Sequence, residues 1–122
     1  MAKSKGKSPT QRTRDWLKSR GITSQIVERW NSFARIRQDL FGFCDIVALG
    51  GKITAIQVTS GQNVSARVAK IYESPEAREW LESGGLIEVH GWRKLAKTRR
   101  WEVRRLSITL DGMGAMISTE FE

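Results

Sequence analysis

Cysteine, histidine and proline are scarce in this chain: one Cys, one His and two Pro among 122 residues. The single Cys44 excludes an internal disulfide, and with only His90 beside it there is no Cys/His cluster for structural zinc. This cysteine usage fits a reducing compartment. No apolar run approaches the roughly 18 residues that a membrane-spanning helix needs. The stretch Met1 to Lys7 is basic but is followed by no apolar h-region. It does not read as a secretory signal, and cytoplasm is the default expectation. A glycine-rich phosphate loop, a Ser/His/Asp set, a metalloprotease helix and internal repeats are also missing.

The composition that remains is ordinary for a globular domain, 39% hydrophobic and 28% charged, so disorder of the whole chain is not expected. The balance of charge is not ordinary. Lys and Arg outnumber Asp and Glu by 21 to 13, giving a net charge of +8. A field of that sign attracts polyanions, nucleic acid first and an anionic membrane second. The bland alternative is a basic surface kept for solubility.

Along the chain, residues 1–8 read as a flexible basic arm, 9–110 as one α/β domain and 111–122 as a tail with no assigned element. Ser8-Pro9 supplies the N-cap and first position of a short helix that Gly21 stops. Thr23 or Ser24 caps a second expected helix. Its residues Ile26, Val27, Trp30, Phe33 and Ala34 fall on one helical stripe, with Glu28 roughly opposite. The period then changes. Residues 43–49 and 53–59 are two strands of a hairpin turned at Gly50-Gly51-Lys52. Val64, Val68 and Ile71 mark a helix, and Ser74-Pro75-Glu76 starts another that ends at Gly84-Gly85. Residues 86–92 and 101–110 are further strands. The expected order is ααββααββ, a mixed central sheet flanked by helices, because the helical region between the second and third strands permits a crossover.

Two polar residues interrupt the apolar hairpin. Asp45 lies among Cys44, Ile46 and Val47, and Gln57 lies between Ile56 and Val58. A buried carboxylate costs several kcal/mol unless it is paired or meets a cation. Two oxygen donors on adjacent strands suit a hydrated Mg²⁺; a solvated outer face is the competing account. Register decides between them. A two-residue Gly50-Gly51 turn sets Asp45 opposite Ile56, whereas a loop that includes Lys52, or a bulge, sets it opposite Gln57.

With Asp45 on one strand and Gln57-Val58-Thr59 on the next, the chain resembles the PD-(D/E)XK nuclease superfamily. Within it, the Holliday-junction-resolvase-like and phage nuclease-like branch is the nearest. The likeness spans roughly Glu28 to Ile71. It implies a restriction-endonuclease-like fold and a Mg²⁺- or Mn²⁺-dependent endonuclease acting on DNA, including branched DNA. Asp45 then matches the metal-binding aspartate, and Gln57 the second ligand. A main-chain carbonyl near Val58 and the Glu28 carboxylate complete the metal set. Thr59 stands where the family carries lysine, so Arg67 or Lys70 on the following helix is the candidate replacement cation, an ordinary solvated basic face being the alternative for both. A homodimer follows from the resemblance alone, since resolving a junction takes two cuts.

The segment from Trp92 to Arg105 adds Arg93, Lys94, Lys97, Arg99, Arg100, Arg104 and Arg105 against a single Glu102. Such a hairpin can straddle a phosphate backbone, with Trp92 stacking on unpaired bases and Trp101 reading as a bracing residue at a strand start. Charge does not separate DNA from RNA. The runner-up reading is a binding module. It is either a nuclease fold without chemistry or a winged-helix protein whose first two helices are the reader.

Overall fold

The computed structural model describes residues 6–121. Eleven residues form the first helix, α1 (Pro9–Ser19), capped by the Ser8 hydroxyl, which accepts the Gln11 N–H. The proline fixes the first turn where no N–H is needed. Strands β1 (Thr23–Ile26), β2 (Arg29–Asn31), β3 (Ile36–Gln38), β4 (Ile46–Gly50) and β5 (Lys52–Ser60) follow. A 3-10 turn leads into α2 (Val64–Tyr72), then α3 (Pro75–Glu82), whose cap is Ser74. Strands β6 (Leu86–Lys94), β7 (Trp101–Leu110) and β8 (Met116–Glu120) complete the chain.

Six strands make one mixed sheet in the order β1-β4-β5-β6-β7-β8, and β2-β3 form a separate two-stranded sheet. Only β5 and β6 run parallel, joined through α2 and α3. The layout is thus α/β, with α1 on one face and α2 and α3 on the other. Under α1 pack Leu17, Ile46, Ala48, Ile56, Val58 and Trp92. Against α2 and α3 pack Ala55, Val64, Val68, Ile71, Val89 and Ile108. Gly91 lets α2 approach the sheet: a Cβ there would lie 2.2 Å from a Val64 methyl and 3.1 Å from the Gly61 backbone.

The element order differs from ααββααββ in two places. The stretch from Thr23 to Ala34, expected as a helix, is instead β1, β2 and the turn that leads into β3. Thr23, Ile26 and Val27 are β-branched, and β1 finds a ladder partner in β4, with Thr23 opposite Leu49 and Ile26 opposite Ile46. Asn31 further diverts the backbone, its Oδ1 accepting the N–H groups of Phe33 and Ala34 at 3.0 Å each. Asn competes with helix in this way. The second difference is the tail. Asp111 Oδ1 accepts from the N–H of Met113 and Ala115, Gly114 takes φ 82°, and the chain turns back to pair β8 with β7. The arm expected over residues 1–8 falls mostly outside the described residues. Within them, Lys7 pairs with Asp15 at 2.6 Å.

Candidate metal centre and basic hairpin

The β4–β5 hairpin has the register that places Asp45 and Gln57 together. Gly50 faces Lys52, Gly51 sits at the apex with φ 99°, and the ladder descends to Ile46 opposite Ile56. One step further, the Gln57 side-chain N–H donates to Asp45 Oδ2 at 2.6 Å. The Val58 backbone N–H donates to the same oxygen at 2.8 Å. Asp45 is only 4% exposed and Gln57 only 2%. The competing account, a solvated polar face, is therefore overturned.

Two backbone devices bring other carboxylates to Asp45. Its carbonyl accepts the N–H groups of Val27 (2.8 Å) and Glu28 (3.3 Å), which pins the exit of β1 and sets Glu28 beside it. Leu40 and Cys44 exchange N–H···O bonds of 2.8 and 3.0 Å around a tight turn in which Phe41 and Gly42 both have positive φ, 54° and 79°. That turn folds Asp39, just before Leu40, back towards Asp45, just after Cys44. Carboxylate oxygens of Glu28, Asp39 and Asp45 all lie within 4.8 Å of one another. Burial, a hydrogen bond with Asp39 and the charges of Asp39 and Glu28 push the Asp45 carboxyl up to about 8. Neighbouring Cys44 is held as an inert thiol, pushed up to about 12 chiefly by burial.

Glu28 thus joins the site from the extended segment after β1, and not from a helix. The Val58 main chain enters as a hydrogen-bond donor to Asp45. Thr59 lies two residues past Gln57 on the same face of β5 and is buried. Lys70 is exposed and lines an open cleft of about 640 Å³ together with Arg29, Arg37 and Asp39. Arg67 is half-buried on α2 and has no acidic partner among the described residues. Arg37 approaches Glu28 at 3.5 Å. Asp39 is the residue that sequence reasoning missed. It sits seven residues before a strand in a segment without periodicity, and its one signal was the following Phe41-Gly42 turn.

The donors are all oxygen: three carboxylates, and the Gln57 Oε1, which is buried with no hydrogen-bond partner. That set suits Mg²⁺, Mn²⁺ or Ca²⁺ and not a thiophilic metal. Adjacent oxygens around an octahedral Mg²⁺ lie about 3 Å apart, so a trio spread over no more than 4.8 Å needs to close by less than about 2 Å to hold one.

At the carboxyl end of β5, Ser60 pairs with Trp92 of β6, from which the basic hairpin continues into β7. Gln57 is three residues earlier, about 10 Å along the strand. The acid cluster and the basic hairpin therefore share one end of the sheet. Not all seven cations there are free. Arg93 pairs with Glu102, Arg104 with Glu120 and Arg105 with Glu88. Arg105 also lies between the rings of Trp16 and Phe121 at 4.4 and 4.0 Å. Among the described residues, Lys94, Lys97, Arg99 and Arg100 have no acidic partner.

The two tryptophans differ in exposure from what was expected of them. Trp92 is 8% exposed and its indole N–H donates to Thr13 Oγ1 at 2.8 Å, so it offers no face to a base. Trp101 is 41% exposed and carries the Arg12 guanidinium 3.9 Å from its ring centre. The physical reason is what lies overhead: Thr13 and Leu17 of α1 pack on Trp92, whereas Trp101 meets α1 through the Arg12 guanidinium.

No helix among the described residues is long and apolar enough to cross a membrane. No known protein family, curated protein or solved structure matches the chain.

Proposed function

We propose that the chain is a metal-dependent phosphodiester endonuclease acting on DNA, of the PD-(D/E)XK kind its hairpin resembles. The observation that carries this reading is the convergence of Glu28, Asp39 and Asp45, from three separate segments, on one partly buried spot beside Gln57. Of the three crowded carboxylates only Glu28 has a cation beside it, Arg37 at 3.5 Å, so the set repels itself unless a proton is shared or a further cation intervenes. In this reading the mixed sheet is of restriction-endonuclease-like type, and a homodimer supplies the two cuts that a branched substrate requires.

Each group has a task. Asp45, held in place by the Val58 N–H, presents its free oxygen with Asp39 and Glu28. A Gln57 amide turned end for end would add its oxygen, since the two ends of the group are nearly the same shape. Together these residues would hold Mg²⁺ or Mn²⁺, which would supply a water of lowered pKa and charge stabilisation at the phosphate and the departing oxygen. Lys70 on the rim of the cleft replaces the family's lysine in meeting phosphate charge, because Thr59 cannot donate a positive one. Lys94, Lys97, Arg99 and Arg100 hold the DNA backbone by displacing condensed counterions, a grip on phosphates that carries no sequence information.

The test is to incubate branched, duplex and single-stranded DNA with Mg²⁺ or Mn²⁺. The parent cuts at least one substrate, and Asp45→Asn binds it equally well without cutting. Failure of the parent to cut any of the three ends the enzymatic reading. What is left is a nuclease-like binding module, and one observation favours that alternative: Asp45 Oδ2 is already engaged by Gln57 and Val58. The winged-helix version loses its support, because the segment expected to supply its second helix carries β1 and β2 and no helix among the described residues.

A further inference from the structure

The β2–β3 hairpin serves the acid cluster only through its two ends. Glu28 immediately precedes β2 and Asp39 immediately follows β3, so the hairpin stands on two of the three carboxylates. Its own side chains are not those of a solvated turn. Trp30 and Ile36 are half or more exposed, and Phe33 at the apex is 100% exposed. The apex is nevertheless ordered. Asn31 Oδ1 holds the N–H groups of Phe33 and Ala34, and Arg35 closes the turn with φ 53°. A side chain bonded to the backbone two and three residues on fixes such a turn. Phe33 is thus a rigid apolar projection.

Beside the apolar residues lie Arg29, Arg35 and Arg37, of which, among the described residues, only Arg37 has an acidic neighbour, Glu28. A partner must therefore offer apolar surface and negative charge at the same spacing. A second copy of this chain would bring three more arginines to the contact. An anionic membrane satisfies the hairpin alone, whereas the free cations at Lys94 to Arg100, at the same end of the main sheet as the carboxylates, call for a polyanion that extends between the two. Duplex DNA meets every condition: phosphates outside, and an apolar base stack that a Phe can enter. Inserted apolar side chains part adjacent base steps and kink the duplex, while neighbouring arginines bind the backbone.

We propose that the β2–β3 hairpin is a wedge that enters the base stack of duplex DNA at Phe33, with Arg29 and Arg35 on the flanking phosphates. The kink it makes lays a phosphate in the cleft between the hairpin root and Lys70. This rests on the nucleic-acid reading above for its partner, and not on the chemistry.

The experiment uses the full chain in EDTA, so that no cutting occurs, with a duplex carrying internal 2-aminopurine, whose fluorescence rises when it is unstacked. Saturating parent protein raises the signal several-fold. Phe33→Ala abolishes the rise and weakens binding by about tenfold, the scale of one aromatic–base contact; Phe33→Leu keeps most of both. Full exposure of Phe33 leaves folding unaffected by either change. An equal rise with Phe33→Ala, or none with the parent, overturns the wedge. So does a Phe33→Ala variant that loses only self-association in sedimentation, or only capture by vesicles containing phosphatidylserine. A chain that unstacks DNA but does not cut it with Mg²⁺ keeps the wedge and loses the nuclease; one that cuts without unstacking does the reverse.

Discussion

Gln57 and Asp45 are joined by a 2.6 Å hydrogen bond in which the amide donates, and this leaves the Gln57 carbonyl oxygen buried without a partner. One divalent ion would relieve the three clustered carboxylates and, with the amide turned end for end, would take the Gln57 oxygen as a ligand. Mg²⁺, Mn²⁺ or Ca²⁺ should therefore raise the melting temperature. At ten times the dissociation constant the gain is about 1.4 kcal/mol, a shift of a few degrees for a domain of this size. Asp39→Asn and Asp45→Asn should each remove most of it in differential scanning calorimetry. A cation response that survives both substitutions would place the ion elsewhere.

Asp45 also gives the metal-free protein a pH dependence of definite sign. Its folded carboxyl titrates near 8 because of burial, the Asp39 hydrogen bond and the charges of Asp39 and Glu28. Its unfolded value is about 3.9. Between these values the folded state holds the extra proton, so stability falls as pH rises from about 4 to about 8. Asp45→Asn should flatten that slope in urea titrations run in EDTA, and saturating Mg²⁺ should flatten it in the parent.

On the opposite face the sign reverses. His90 is fully buried; its Nε2–H donates to Glu88 at 2.9 Å, and Nδ1 accepts from the Thr13 hydroxyl at 3.2 Å. Burial lowers its pKa, partly offset by the Glu88 hydrogen bond and charge. Unfolded chains take up the proton first, so stability is lost as pH falls below about 6.5. Thr13→Ala, which strands both His90 Nδ1 and the Trp92 indole N–H, should cost about 2–4 kcal/mol at neutral pH. Chemical denaturation of this variant reads that loss directly; an unchanged midpoint would mean the helix is held by its apolar contacts alone.

Trp101 and Trp92 should part company in binding assays. Trp101→Ala should weaken the affinity for a single-stranded oligonucleotide by about 1–3 kcal/mol without altering the fold, as expected for one stacked base. Trp92→Phe should leave affinity unchanged and lower stability by the lost Thr13 hydrogen bond, about 1 kcal/mol. Fluorescence anisotropy and thermal melts on the two variants separate these effects.

Gly91→Ala tests the packing of α2 on the sheet. The new methyl meets Val64 at 2.2 Å and the Gly61 backbone at 3.1 Å, so either the helix shifts or the strand does. Overpacking of this kind costs about 1–3 kcal/mol. The loss should appear in the denaturation midpoint, and Val64→Ala in the same chain should recover part of it.

What the sequence displayed is what short-range chemistry encodes. Ser8-Pro9 and Ser74-Pro75 cap α1 and α3 within a few residues of themselves. Gly51 turns the β4–β5 hairpin locally, while its register stayed open until the ladder set Gly50 opposite Lys52. Asp45 and Gln57 were visible for the same reason: each is a polar residue interrupting its own apolar strand.

What stayed hidden depended on distant partners. The stripe Ile26, Val27, Trp30, Phe33 is as good a helix face as many. Its start became β1 because β4, twenty residues on, offered a ladder, and its remainder became β2 and a turn because Asn31 captured two N–H groups and β3 paired with β2. Asp39 joined the site through a turn whose closure at Leu40 and Cys44 no periodicity announces. Trp92 and Trp101 are the same residue type at opposite ends of one basic segment, and only the path of α1 decides which is covered. By itself the sequence determined the capped helices, the central hairpin and the positive charge, because these follow from neighbours along the chain. The tertiary structure alone decided which carboxylates converge, which tryptophan faces solvent and which aromatic hairpin is left bare, because burial belongs to whatever packs across from a residue.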